Sequence, residues 1–314
     1  MITFTKTYTA PEGAAKSYPK YPRVHSDGTI WVHGSSGLYI YRPDGSTLRL
    51  VASDTRAPAL RSVEDAAGYI HVSFSSTNQA YTWDGTTLSN VSATVEIKAA
   101  DSTYIYRTNG SQIVRSTYDG STVTDVGTYA LTDVTSINNL MCFGDTHIFA
   151  TTGSTSLDED KMIFMVYNFS NQDSYTSSIY WPEDMCTNGT YIYTDNTRDG
   201  YNSIYFFIPN PSSPWILNGP GSGGEHYNTR GICYNADDTT LITSGLLDSK
   251  VKEYAVVDLE TLLGISTSAD SNYSAFGICY LNGYIYNTTN GTSVWGASSK
   301  VFSGSRCQAY FMDS

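Results

Sequence analysis

Charge is scarce in this 314-residue chain, and positive charge scarcest: Asp, Glu, Lys and Arg make up 15% of it, with 18 basic against 30 acidic residues and a net charge of −12. A nucleic-acid binder brings Lys and Arg to the phosphates. Here the basic residues read as scattered, with no cluster, which argues against nucleic acid and against an anionic membrane surface. Long apolar runs are also missing. The longest, Met162 to Tyr167, is the size of a strand and far short of the roughly 18 residues of a membrane span. The first residues, MITFTKTYTAPEG, alternate Thr with apolar side chains and lack the continuous core of a signal peptide, so the expectation is synthesis in a cytoplasm without general secretion. Five cysteines, Cys142, Cys186, Cys233, Cys279 and Cys307, are widely spaced and form no CxxC, which removes zinc and dithiol readings. Helical periodicity is nearly absent. Even the stretch from Leu246 to Leu263 favours strand through its Val-Val pair and Tyr.

What the chain does have is Tyr, at 26 residues, Ser and Thr at about a quarter of the whole, and a repeat. An anchor of the form aromatic-Ile-aromatic, or its equivalent, occurs around Ile30, Ile70, Ile105, Ile148, Ile192 and Ile285, with a looser copy at Leu241. Asp44-Gly45, Asp84-Gly85 and Asp119-Gly120 each begin fourteen residues after their anchor and predict type I′ hairpins. Cys142, Cys186 and Cys279 each precede their anchor by six residues, with Val24 in the same place before Ile30 and Cys233 displaced by a longer turn. Each repeat reads as four short strands, in the first copy over 21–26, 30–33, 38–41 and 47–51. Such a chain exceeds the size at which one core keeps growing, and repetition is the usual way past that limit.

These repeats resemble the β-propeller superfamily over essentially the whole chain, although no WD, Kelch or Asp-box signature fixes a subfamily. The resemblance implies a single all-β domain over 1–314: a seven-bladed β-propeller of four-stranded antiparallel blades at about 21–52, 59–92, 93–127, 136–180, 181–218, 228–267 and 273–314. The last blade is one strand short. The alternating segment Ile2–Thr9 is expected to supply that strand and close the ring, because open edges invite aggregation.

Blades four to seven carry longer connections, at 151–161, 195–202, 244–250 and 287–306, with a Pro- and Gly-rich stretch at 210–230. In the connectivity that the resemblance implies, all lie on one face, and inserted loops are where function concentrates. The candidate binding face comprises Asp158, Glu159, Asp160, Asp195, Arg198, Asp199, Tyr201, Glu225, His226, Tyr227, Arg230 and Trp295. Asp195 and Asp199 open like a calcium loop, but Phe206 stands where the closing acid belongs, so no metal is assigned. His226, Tyr227 and Arg230 would serve acid–base catalysis on an acidic sugar, as in a lyase or hydrolase. Ser-His-Asp catalysis lacks a G-x-S-x-G context.

A surface rich in Tyr, Ser, Thr, Asn and Gly suits extracellular recognition, while the missing leader points to cytoplasmic synthesis. The pair of features resembles propeller modules of phage virion and tail proteins. The expectation is a non-catalytic binding or structural propeller, a virion component within a larger assembly. It would present a docking face to virion proteins or to a host-surface glycan or protein, with no cofactor, no nucleic acid and no membrane insertion. An intracellular scaffold and a carbohydrate-active enzyme are the alternatives.

Overall fold

The computed structural model describes residues 2–9, 20–44, 47–132, 134, 136–152, 161–167, 169–177, 184–194, 205–208, 216–218, 229–237, 239–245, 251–255, 262–266, 274–281, 284–290 and 306–311. Among them there is no helix, and so none long and apolar enough to cross a membrane.

The strand β1 (Ile2–Thr9) is followed by five four-stranded sheets, each a meander in chain order. They are β2 (Lys20–Val24), β3 (Ile30–Gly34), β4 (Gly37–Asp44) and β5 (Thr47–Asp54); β6 (Ala59–Glu64), β7 (Tyr69–Phe74), β8 (Asn78–Trp83) and β9 (Leu88–Ala93); β10 (Ala99–Ala100), β11 (Ile105–Asn109), β12 (Gln112–Tyr118) and β13 (Val123–Ala130); β14 (Ile137–Phe143), β15 (His147–Thr152), β16 (Lys161–Tyr167) and β17 (Asn171–Ser177); and β18 (Met185–Thr187), β19 (Ile192–Thr194), β20 (Tyr205–Ile208) and β21 (Ile216–Asn218). Two further meanders, β22 (Thr229–Asn235), β23 (Thr240–Gly245), β24 (Val251–Ala255) and β25 (Leu262–Ser266), then β26 (Ser274–Leu281), β27 (Tyr284–Asn290) and β28 (Arg306–Phe311), are joined by β1 into one eight-stranded sheet. β1 lies antiparallel to β28, with Thr5 opposite Phe311, and parallel to β25, with Ile2 opposite Gly264.

The anchors begin or occupy the second strand of each meander, and burial explains why they are apolar. β3, β15 and β23 are buried at every residue, while the outer strands β9 and β13 hold no buried residue at all. A strand covered on both faces is apolar along its length rather than alternating. Sheets stack face to face: Trp31, Leu38 and Ile40 pack on Ala59, Ile70, Val72 and Tyr81, while the opposite face of the first sheet packs Ile30, Val32 and Tyr41 on Cys279 and Tyr286. First and last meanders therefore share one core. Each fully buried side chain such as Trp31 or Tyr41 contributes up to about 3 kcal/mol by transfer from water. Polar contacts cross the centre as well. Arg23 of β2 reaches Asp184, just before β18, at 2.7 Å, and Arg61 of β6 reaches Asn139 of β14 at 2.8 Å. First strands of non-neighbouring sheets thus face one another around a common axis, which makes the fold a β-propeller.

One local expectation needs correction. The hairpins at Asp84-Gly85 and Asp119-Gly120 are not type I′, because only the glycines take positive φ, at 91° and 93°. The Asp side chain holds the turn instead. Asp84 Oδ1 accepts from the Thr86 and Thr87 amides, and Asp119 Oδ1 from those of Ser121 and Thr122. The residues that precede the anchors pair in two registers: Cys186, Cys233 and Cys279 lie opposite the residue after their anchors, whereas Val24 and Cys142 lie opposite Ile30 and Ile148 themselves.

Candidate functional site

The first strands carry irregularities that aim side chains inward. In β6 the register slips between Ala59 and Arg61, leaving Leu60 unpaired and exposed; in β14 it slips between Ile137 and Asn139, leaving Asn138 exposed. A bulge re-aims the residues after it and frees a backbone carbonyl from the ladder. Both effects are used. Arg61 extends across to Asn139 Oδ1, and Lys98 Nζ donates to the Asn138 carbonyl at 2.9 Å.

Between these strands lies a cavity of about 280 Å³, toward the small end of the range for ligand pockets. Its polar wall is Arg23, His33, Arg61, Ser62, Lys98 and Asn139, and no carboxylate among the described residues lines it. Two carboxylates reach its cations from outside the lining. Asp184, wholly buried, takes Arg23, and Glu96 sits 3.5 Å from Lys98 and 4.0 Å from Arg61. Among the described residues, three cations meet two acids here, inside a strongly acidic chain. Burial lowers the pKa of the Lys98 ammonium, and repulsion from Arg61 lowers it further, against a partial offset from Glu96. A bound anion would relieve that cost. Cys142 also lines the cavity, but burial pushes its thiol well up, so it is a packing group and not a thiolate.

The wall formed by the first two sheets holds a polar chain. Ser62 Oγ, on a residue 8% exposed, lies 3.0 Å from His25 Nε2 and 2.9 Å from His33 Nε2. His25 Nδ1 lies 3.4 Å from Glu64 Oε2, and its ring is tilted against Trp31 with centroids 4.3 Å apart. The hydrogen bond from His25, helped by the Ser26 hydroxyl and amide, holds the Glu64 carboxyl down at about 2 against the cost of burial. His25 and Glu64 line a second concavity on the turn side, of about 400 Å³, whose Asp27 is occupied by Trp83 Nε1 at 2.7 Å and Arg42 at 3.1 Å. The chain of groups therefore runs from that outer concavity to the axial cavity.

Of the residues singled out in the sequence, Asp158, Glu159, Asp160, Asp195, Arg198, Asp199, Tyr201, Glu225, His226, Tyr227 and Trp295 lie outside the described residues. Arg230 stands in β22, with its side chain likewise outside them. Among the described residues no three His, Cys, Asp or Glu side chains gather as metal ligands. The impression of scattered basic residues is overturned by Arg23, Arg61 and Lys98, which meet in one cavity. Their spacing held the signal: 38 residues separate the first two and 37 the next, one repeat each.

No sequence-family model matches the chain, and no curated protein matches it in sequence. Its structure is similar to that of several solved propellers. A catalytically inactive histidine-to-alanine virginiamycin B lyase from Staphylococcus aureus, solved with quinupristin, superposes with a TM-score of 0.71 at 12% identity over 99% of this chain and 100% of that one. A luciferin-regenerating enzyme gives 0.57 at 11% over 96% and 95%. The Swd1 β-propeller domain of Myceliophteria thermophila gives 0.67 at 10% over 99% and 100%. Identities this low establish the propeller fold and no activity.

Proposed function

We propose that the chain is a binding propeller of seven four-stranded blades whose axial cavity holds the anionic group of a small ligand. On this reading the eight-stranded sheet is two blades, β22–β25 and β26–β28 with β1, which the parallel β1–β25 contact joins at the seam. One observation carries the ligand class: three cations converge on a cavity whose described lining residues include no carboxylate, in a chain of net charge −12. Calorimetric titration with acetate, succinate and phosphate tests it. Saturable binding that weakens with salt, and by tenfold or more in Lys98→Met, is the expected result. Absence of heat with all three anions counts against it.

The wider setting on this reading is a virion component, with the connections around Asp158–Asp160, Asp195–Tyr201, Glu225–Arg230 and Trp295 as its docking face. The Tyr-, Ser- and Thr-rich composition supports it. Tail or capsid genes beside the coding sequence, and the chain co-sedimenting with purified particles, are the expected findings. Metabolic neighbours and no particle association would remove the virion setting while leaving the cavity untouched.

A further inference from the structure

We infer that Ser62 is a nucleophile, with His25 as its base and Glu64 as the group that orients His25, acting on an acyl ester whose anionic end lies against Arg61 and Lys98. This rests on the axial cavity being the ligand site and goes beyond binding. With His25 neutral, as a general base must be, the hydrogen-bond chain admits one self-consistent set of protons. Glu64 is acceptor-only as a carboxylate, so His25 carries its proton on Nδ1. His25 Nε2 is then an acceptor, and Ser62 must donate its hydroxyl proton to it across 3.0 Å. Ser62 Oγ in turn accepts from His33 Nε2–H at 2.9 Å. A hydroxyl whose proton points at a carboxylate-backed imidazole, and whose oxygen already accepts a hydrogen bond, is arranged for attack. The first arrangement removes the proton and the second stabilises the oxyanion left behind.

The surroundings fit the same step. Ser62 lines the cavity while His25 is buried behind it at 7% exposure, so substrate meets the hydroxyl and not the base. Arg61 and Lys98, on the same cavity, provide fixed positive charge for a substrate carboxylate and for charge that develops on the carbonyl oxygen. In the step, a bond forms between Ser62 Oγ and the acyl carbon as the hydroxyl proton moves to His25 Nε2. The ester C–O bond breaks, and the leaving alkoxide takes that proton. Water then adds to the acyl carbon, its proton passing to His25 and on to Ser62 Oγ as the acyl–serine bond breaks. Ser62 lies mid-strand in Leu60-Arg61-Ser62-Val63-Glu64, which is why no nucleophile-elbow pattern marks it.

A purely structural Ser62, satisfying two buried imidazoles, predicts no reactivity, and the two roles separate in one experiment. The full chain is incubated at pH 8 with a small dialkyl fluorophosphate and followed by intact mass and peptide mapping. Stoichiometric phosphorylation of Ser62 is expected, absent in Ser62→Ala and slowed by a hundredfold or more in His25→Gln, with circular dichroism confirming that both variants are folded. Glu64→Gln is expected to slow it by about tenfold. Folded wild-type protein that stays unlabelled at Ser62, or labelling that His25→Gln leaves unchanged, overturns the assignment. Succinate titration of the same samples keeps the two readings apart: binding without label retains the anion site and removes the nucleophile, and loss of both removes the site itself.

Discussion

Arg23 Nη2 donates to Asp184 Oδ1 at 2.7 Å across the axis, and the same carboxylate accepts from the Met185 amide at 3.0 Å and, through Oδ2, from the Ile232 amide at 3.3 Å. One wholly buried acid therefore ties β2 to β18 and β22. Removing only the cation leaves that acid with its backbone donors but without the Arg23 countercharge. Arg23→Met is expected to cost about 2 kcal/mol, reduced from the full buried-pair penalty because the arginine is partly exposed. Asp184→Asn in the Arg23→Met background should recover part of the loss. A double-mutant cycle by chemical denaturation measures the coupling, and a coupling near zero would mean the pair is incidental.

Anion binding should be linked to protons. Lys98 has its pKa lowered by burial and by Arg61, so it loses its proton below the ordinary lysine range, and affinity for an anion should fall as pH rises through that lowered value. Binding should draw a proton onto Lys98 in the same window, seen as heats that vary with buffer ionisation enthalpy. Lys98→Arg, which stays charged, should flatten the pH dependence.

The Glu64 carboxyl is held near 2, below its ordinary 4.5. A depressed carboxylate contributes stability that is full above the ordinary value and lost as pH falls through the depressed one. Glu64→Gln should therefore be less stable than wild type by about 2 kcal/mol at neutral pH, after allowance for partial exposure. The gap should close between pH 4.5 and pH 2, as melting curves across that range would show. A gap independent of pH would assign the loss to packing.

Deleting residues 1–9 removes the partner of both β25 and β28 and exposes two strand edges. The shortened chain should melt at least several degrees lower and form aggregates on size-exclusion chromatography. Supplying Ile2–Thr9 as a peptide should reverse part of both effects.

The propeller class was legible because it is written in local features. Anchors such as Ile30 and Ile70 lead strands covered on both faces, and Asp84-Gly85 and Asp119-Gly120 mark reversals even though their side-chain hydrogen bonds, and not a type I′ backbone, make the turn. The axial site was not legible, although its cations keep the repeat spacing. Arg61 points where it does because Leu60 bulges out of register, and Lys98 finds its acceptor because Asn138 does the same; both depend on cross-strand pairing. The Ser62 chain was hidden for a related reason: His25 sits in a turn of one sheet and Ser62 in a strand of the next, brought together only by stacking.

β1 is synthesised well before its neighbours β25 and β28, with all the other described sheets between them. Ile2–Thr9 must therefore wait for both partners while the intervening sheets emerge. Prematurely terminated products would display raw sheet margins, so a cell making this protein has reason to keep a holdase near the ribosome until translation ends.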